Sequence, residues 1–479
     1  MNKLPRKILC DFETSGVNHL YDQPLTFSAK VYQDGKEIDS INTKCRMNKS
    51  ILVSPGALMV NNYSLDCLSK EQSLRDMMIE INMFFSKHTP SSIIAYNSSF
   101  DYNFSHSHYF QSLCSENWYQ WKNNRNYTID ALELLRAIYV FSDKLHSINI
   151  LPGKFGFPKF NLDYVSKNNG IFYNAHEAEN DVRSLRDLYG LMLHESGEIE
   201  NLAHVCAIKK ESIRIVNDST FFCASLGTGQ YLKARPLVPL AYNKLKNAVI
   251  CADLSCLQAH EINSISSWNI FRQCKEQKYG NAFFIVPLNR GKIFFTPEYH
   301  EFCKNFGNEL TLTELSNRAK KIRKNRYIKN AALEAWCHID NLYSHNEKTL
   351  ESTIYSEGFC SPQETIFINQ FNQIAWEDRW GLIESCRSLN SQSRIIKLAK
   401  RIIFEQNEEL IPDDLLKTYH NHISKKLFNS ESNINVPWTN LPKVLNELRD
   451  LKSNANNKDR LDDLKKYYDD ISYKFVNVS

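Results

Sequence analysis

Nowhere does the chain approach the roughly 20 consecutive apolar residues that a membrane span needs. The opening stretch, Met1 to Thr14, lacks an apolar core ending in a small-residue cleavage site, so no secretory leader is expected there. Cys-x-x-Cys pairs are absent although 13 cysteines are scattered from Cys10 to Cys386, which excludes a zinc ribbon and leaves no sign of a disulfide framework. Free thiols in a reducing compartment are expected, and with them a soluble, cytosolic protein. There is no G-x-x-x-x-G-K phosphate loop, no internal repeat and no low-complexity tract, so a P-loop nucleotide enzyme and a solenoid are excluded.

What is present is a chain of 479 residues, 42% hydrophobic, long enough for about three domains. The formal net charge of +4 is too small to argue for nucleic acid by itself. Its distribution says more, because Arg318, Lys320, Lys321, Arg323, Lys324, Arg326 and Lys329 fall in one stretch that holds no acid. That stretch can be a groove wall for a polyanion or a solvated helix face.

The first third alternates strand and helix patterns. A strand is expected at Lys7 to Glu13, then a hairpin from Leu25 to about Ile38 turning at Asp34-Gly35. A helix follows near Lys70 to Phe85, a buried strand at Ser92 to Tyr96, and helical spacing around Leu132 to Val140 and from Ala178 to Met192. This is an α/β domain ending near residue 197. Short β-type runs then dominate: Phe221 to Ala224, Ala234 to Tyr242, Ala248 to Asp253, Ala282 to Pro287 and Lys292 to Phe295, which suggest a small barrel or sandwich. From 308 to 343 the pattern is helical, and after a polar stretch it is helical again from 351 to the C-terminus.

Asp11-Phe12-Glu13 is the only Asp-x-Glu in the chain and sits at the end of the first strand, where residues two apart share a face. Two adjacent acids repel unless something positive holds them, and a hard divalent cation suits an all-oxygen pair. Asp101 follows the Ser92 to Tyr96 strand, and His176 and Asp181 form the only His-x-x-x-x-Asp, at a helix start. Each signal alone reads more readily as a solvated acidic pair, a helix N-terminal residue or a surface histidine. Their order is more specific. Asp11-Phe12-Glu13-Thr14-Ser15-Gly16, Asn97-Ser98-Ser99-Phe100-Asp101 and His176 to Asp181 together resemble the DEDDh exonuclease superfamily, whose motifs read D-F/I/Y-E-T-x-G, N-x-x-F-D and H-x-x-x-x-D.

The resemblance extends to the bacterial exonuclease I family along nearly the full length, through Ser54-Pro55-Gly56-Ala57, Asp130 to Ala137, Lys167 to Ile171, Pro236 to Ala241, Asn247 to Ile250 and Tyr355 to Phe359. It implies an RNase H-like exonuclease domain over 1–197, an SH3-like β domain with a helical basic segment over 198–350, and a helical domain over 351–479. It further implies 3′→5′ hydrolysis of single-stranded DNA, in DNA repair and recombination, by two magnesium ions, with manganese as a substitute. The ligands would be Asp11, Glu13, Asp101 and Asp181, with His176 as the general base. The terminal nucleotide would meet Glu13, Thr14 and the 55–62 loop, where Asn62 stands in place of the family's glycine. Asn is the non-glycine residue best able to adopt a left-handed turn, so the loop's path is compatible with it. Asp130 is a further acid near the site with no role assigned. The resemblance also implies a partner, the acidic tail of single-stranded DNA-binding protein, and a monomer. The groove or docking wall would involve Arg318, Lys321, Arg323, Lys324 and Arg326. An enzyme of the same superfamily acting on RNA or short oligonucleotides, and a non-catalytic single-strand binder, remain as alternatives at this point.

Overall fold

The computed structural model describes residues 6–60, 65–114, 121, 126–142, 145–172, 177–257, 262–276, 280–288, 291–300, 310–343, 349–428, 435–454 and 458–476. Strand β1 (Arg6–Thr14) is buried on both faces over Ile8 to Cys10. Ile8, Cys10 and Phe12 enter one hydrophobic core, while Leu9 enters another, which places Asp11 and Glu13 on the Leu9 face. The hairpin of β2 (Pro24–Gln33) and β3 (Lys36–Lys44) turns through Asp34 and Gly35, both at positive φ, 52° and 77°. With β4 (Ser91–Ala95) and β5 (Tyr127–Asp130) they form a mixed sheet of order β3-β2-β1-β4-β5. Only β2 runs against the others, since it pairs antiparallel to both β1 and β3, while β4 pairs parallel to β1 and β5 parallel to β4.

Helices cover both faces. On the Phe12 side lie Leu74–Lys87, whose start is capped by Ser73, and helices of the distant C-terminal region, Pro362–Gln373 and Arg394–Gln406. On the Leu9 side lie Ala131–Phe141 and Ala178–Glu195, and this core continues without a break into a second sheet. The expected helix near Lys70 begins four residues later at Leu74, because Ser73 offers the Asp76 amide a cap and Lys70 does not.

The second sheet is an antiparallel meander, β6 (Phe222–Leu226), β7 (Lys233–Asn243), β8 (Ala248–Asp253) and β9 (Phe283–Pro287), in that order. The run Lys292 to Phe295 does not form the expected strand. It exchanges one pair of backbone hydrogen bonds between Phe295 and Cys223, and its apolar character serves burial of Ile293, Phe294 and Phe295. The helical region from 308 to 343 is likewise two helices, Leu312–Lys324 and Arg326–Tyr343. Asn325 breaks it in an extended conformation, and its side chain accepts from the Ile328 amide to start the second helix. The last helices, Leu441–Asn454 and Lys458–Val476, return to pack on Val53 and Leu58 in a small third core. Among the described residues no helix is long and apolar enough to cross a membrane.

Candidate active site

The Leu9 face of β1 meets the first turn of Ala178–Glu195, and that contact brings Asp181 over Asp11 and Glu13. Ligand oxygens of the three carboxylates lie within 4.8 Å of one another. Asp101 arrives from β4. Asn97 takes a left-handed conformation, φ 64°, which turns the chain into the helix Ser98–Gln111 and sets Asp101 in its first turn. There the Asp101 carboxylate accepts a 3.0 Å hydrogen bond from the amide of Phe12, the residue between Asp11 and Glu13. Asp101 is only 2% exposed and Asp181 only 9%.

Burial drives the Asp11 carboxyl well above its ordinary range, and the next influences are the negative charges of Asp101, Glu13 and Asp181. Glu13 is pushed to about 8 by burial and by Asp181. Burial also raises Asp101, against the opposing pull of the Phe12 amide. A cluster of hard oxygens buried together with like charge on every side fits a hard divalent cation, which removes the repulsion and satisfies the acceptors at once. Asp130 is differently employed. It accepts from the Leu132 and Glu133 amides at 3.0 and 3.2 Å, and from the Ser98 hydroxyl at 3.2 Å, so it caps the helix Ala131–Phe141. Burial and Glu133 push its carboxyl to about 6.

No family model matches the sequence. Exodeoxyribonuclease I of Buchnera aphidicola subsp. Schizaphis graminum is 24% identical over 225 residues, and the match spans 44% of this chain and 44% of that protein, less than half of each. Solved structures agree over far more of the chain. Exonuclease I of Methylocaldum szegediense superposes with a TM-score of 0.83 at 14% identity, covering 99% of this chain and 100% of that one. E. coli exonuclease I in complex with a dT13 oligonucleotide gives 0.83 at 17% identity, covering 98% and 100%. An SSB/exonuclease I structure with an inhibitor gives 0.78 at 17% identity over the same shares. This chain has the exonuclease I fold.

On this exonuclease I fold the sequence-predicted residues separate into groups. Asp11, Glu13 and Asp181 converge, with Asp101 bound to the backbone between the first two. His176 and Asn62 lie outside the described residues. Thr14 is buried, and its hydroxyl donates to the Gly16 carbonyl at 2.6 Å, closing the turn after Glu13. The basic run divides. Arg323 donates to the carbonyls of Val216, Asn217, Ser219 and Thr220 and so closes the C-terminus of the helix Lys209–Asp218, while Arg318 donates to Leu254 O. Lys320, Lys321, Lys324 and Arg326 are exposed.

Sequence reasoning missed a cavity of about 700 Å³ beside the site. Tyr96 and Asn97, which lead into the Asp101 helix, form one wall, and Arg136, Lys154, Phe155, Phe157 and Lys159 form others. Phe155 is 80% exposed on its rim. The signal was present in Lys154-Phe155-Gly156-Phe157-Pro158-Lys159-Phe160, where aromatics interleave with cations, the composition that single-strand grooves use.

Proposed function

We propose that the protein is a 3′→5′ exodeoxyribonuclease that releases 5′-mononucleotides from the free 3′ end of single-stranded DNA, acting in DNA repair and recombination. The observation that carries the reading is the convergence of Asp11, Glu13 and Asp181, oxygens within 4.8 Å, with Asp101 behind them, on a chain of this fold. These four carboxylates would hold two magnesium ions, with manganese able to replace them. Bound there, the metal supplies the positive charge that eases attack on a phosphodiester and stabilises its leaving oxygen.

The chain's own residues do the rest. His176, by its resemblance to the family motif, takes the proton of the attacking water, as an imidazole of ordinary pKa near neutrality can. Glu13, Thr14 and Asn62 receive the terminal nucleotide. The strand then leads outward over the Phe155 rim, where Arg136, Lys154 and Lys159 meet phosphates and the aromatics accept bases. The chain divides into the exonuclease domain 1–197, a domain 198–350 whose meander is read as SH3-like, and the helical domain 351–479. A cytoplasmic monomer is the working form. The acidic tail of single-stranded DNA-binding protein is the expected partner, a reading supported by the SSB/exonuclease I complex and by the exposed Lys320, Lys321, Lys324 and Arg326.

The test is a gel assay with end-labelled linear single-stranded DNA, the same strand circularised, duplex DNA and RNA, with magnesium or with chelator. The linear single strand is expected to shorten from its 3′ end only with metal, while the circle resists. Digestion of the circle, or of RNA in preference, would replace this reading by an endonuclease or a ribonuclease.

A further inference from the structure

The two loops that border the carboxylate end of β1 are held by one helix from the far end of the chain. Loop 15–22 follows Glu13 directly, and Ser15 accepts from the Ser54 amide at 2.8 Å, so the segment 53–60 lies against it. Glu447, on the helix Leu441–Asn454, accepts from the Ser54 hydroxyl at 3.0 and 3.1 Å and from the Gly56 amide at 3.0 Å. The fit leaves no space, since a Cβ at Gly56 would stand 2.5 Å from the Glu447 carboxylate. Thr439, just before that helix, donates to Asp22 at 3.4 Å, and Asp22 in turn accepts from the Asn18 amide at 2.8 Å and fills the space a Gly16 side chain would need. Beneath these contacts, Val53 and Leu58 pack on Val444, Leu448, Leu461, Leu464 and Tyr468, and the Tyr468 hydroxyl donates to Val53 O at 2.7 Å.

We propose that Glu447 is a positioning residue for the terminal nucleoside. It fixes Ser54 and the first turn of the short helix Pro55–Val60 against loop 15–22, so that a nucleoside flanking a phosphate on the Asp11–Glu13–Asp181 cluster meets a preformed seat. The inference rests on the reading that a phosphodiester is cut at that cluster. Glu447 acts through the turn and not through the metal ligands. Its loss therefore weakens capture of the strand end and leaves turnover of bound substrate and the metal requirement in place. A side chain whose role was only to hold the C-terminal helices would instead change stability with no selective effect on capture.

The test is steady-state kinetics of the full chain on a labelled single-stranded oligonucleotide, with thermal melting in parallel. Glu447→Ala is expected to raise KM about tenfold, with kcat within about twofold, because a charge-assisted set of hydrogen bonds that orients the seat is lost. The magnesium concentration giving half-maximal rate stays the same. Glu447→Gln, whose amide oxygen still accepts from Gly56, recovers most of the wild-type KM, and Gly56→Ala reproduces the defect. Val444→Ala loosens the same helix without touching Ser54 or Gly56, so it lowers Tm and leaves KM unchanged. Glu447→Asp, one methylene shorter, serves the comparison if the alanine variant does not fold. An unchanged KM in Glu447→Ala (or in Glu447→Asp where the alanine variant does not fold), or a KM rise in Val444→Ala that tracks its loss of Tm, overturns the proposal while the exonuclease reading stands. A wild-type protein that leaves single-stranded DNA intact refutes both.

Discussion

Both sheets bury acidic side chains at a strand end, and they treat the charge in opposite ways. In the second sheet Asp253 is fully buried and Arg235, 1% exposed, meets it at 2.6 Å, with the guanidinium 4.4 Å from the centre of the Phe284 ring. That pair is closed within the protein. In the first sheet burial raises Asp11, and Asp101, Glu13 and Asp181, charges of its own sign, raise it further. The closed pair holds the fold together, while the open cluster crowds like charges whose repulsion a cation would relieve. The second sheet carries its own counter-charge, and the first gathers the hard oxygens that would suit a divalent cation.

Breaking the open site has the largest expected effect on function. Asp11→Ala or Asp181→Ala should remove cleavage of single-stranded DNA to background, while binding of DNA without metal, read by fluorescence anisotropy, stays near wild type. Breaking the closed site should instead cost the fold. Arg235→Ala leaves Asp253 buried without its partner, and a loss of about 3–5 kcal/mol is expected from denaturant unfolding. The two predictions would be interchanged if the second sheet held the functional acids.

pH should separate the two sheets further. Glu13 titrates at about 8 in the fold against an ordinary value near 4.5, and Asp11 is raised in the same direction. The folded protein therefore binds protons that the unfolded chain has released. Stability from this source is fully present below about pH 4.5 and is lost as pH rises towards 8. Metal-free protein should melt at lower temperature at pH 8 than at pH 6, magnesium should restore more at pH 8, and Asp11→Asn should flatten the dependence. A metal-free Tm that rises over this window would contradict the assignment.

The smallest effect is expected at the surface. Charge reversal of Lys320, Lys324 and Arg326 should leave Tm within a few degrees and weaken DNA or acidic-peptide binding a few-fold, with a shallower salt dependence. Arg323→Ala should do the reverse, lowering Tm by releasing the carbonyls of the helix Lys209–Asp218. Equal salt slopes before and after the triple reversal would make those side chains a solvated face only.

Much of the fold was legible where local chemistry decides. Asp34-Gly35 announced its hairpin because both residues tolerate positive φ, and Ala248–Asp253 was read with its observed bounds from an unbroken apolar run. Where tertiary contact decides, reading failed. Lys292 to Phe295 looked like a strand because it is apolar, yet its neighbours give it one bridge only. Strand β5 was not anticipated, since Tyr127–Asp130 is four residues whose pairing with β4 is set by register. At the candidate site, Asp11, Glu13, Asp101 and Asp181 could be named because their motifs are short and ordered along the chain. Glu447 could not, being one acid among many on an amphipathic helix, about 390 residues from the turn it holds.

If the Asp11–Glu13–Asp181 cluster is held ready, partly protonated, for a divalent ion, binding of that ion must release protons. Isothermal titration of magnesium into metal-free protein at pH 7, in two buffers of different ionisation enthalpy, tests it directly. Saturable binding that expels protons is expected, with both lost in Asp181→Asn. Binding with no proton release, or binding that survives Asp181→Asn unchanged, would contradict it.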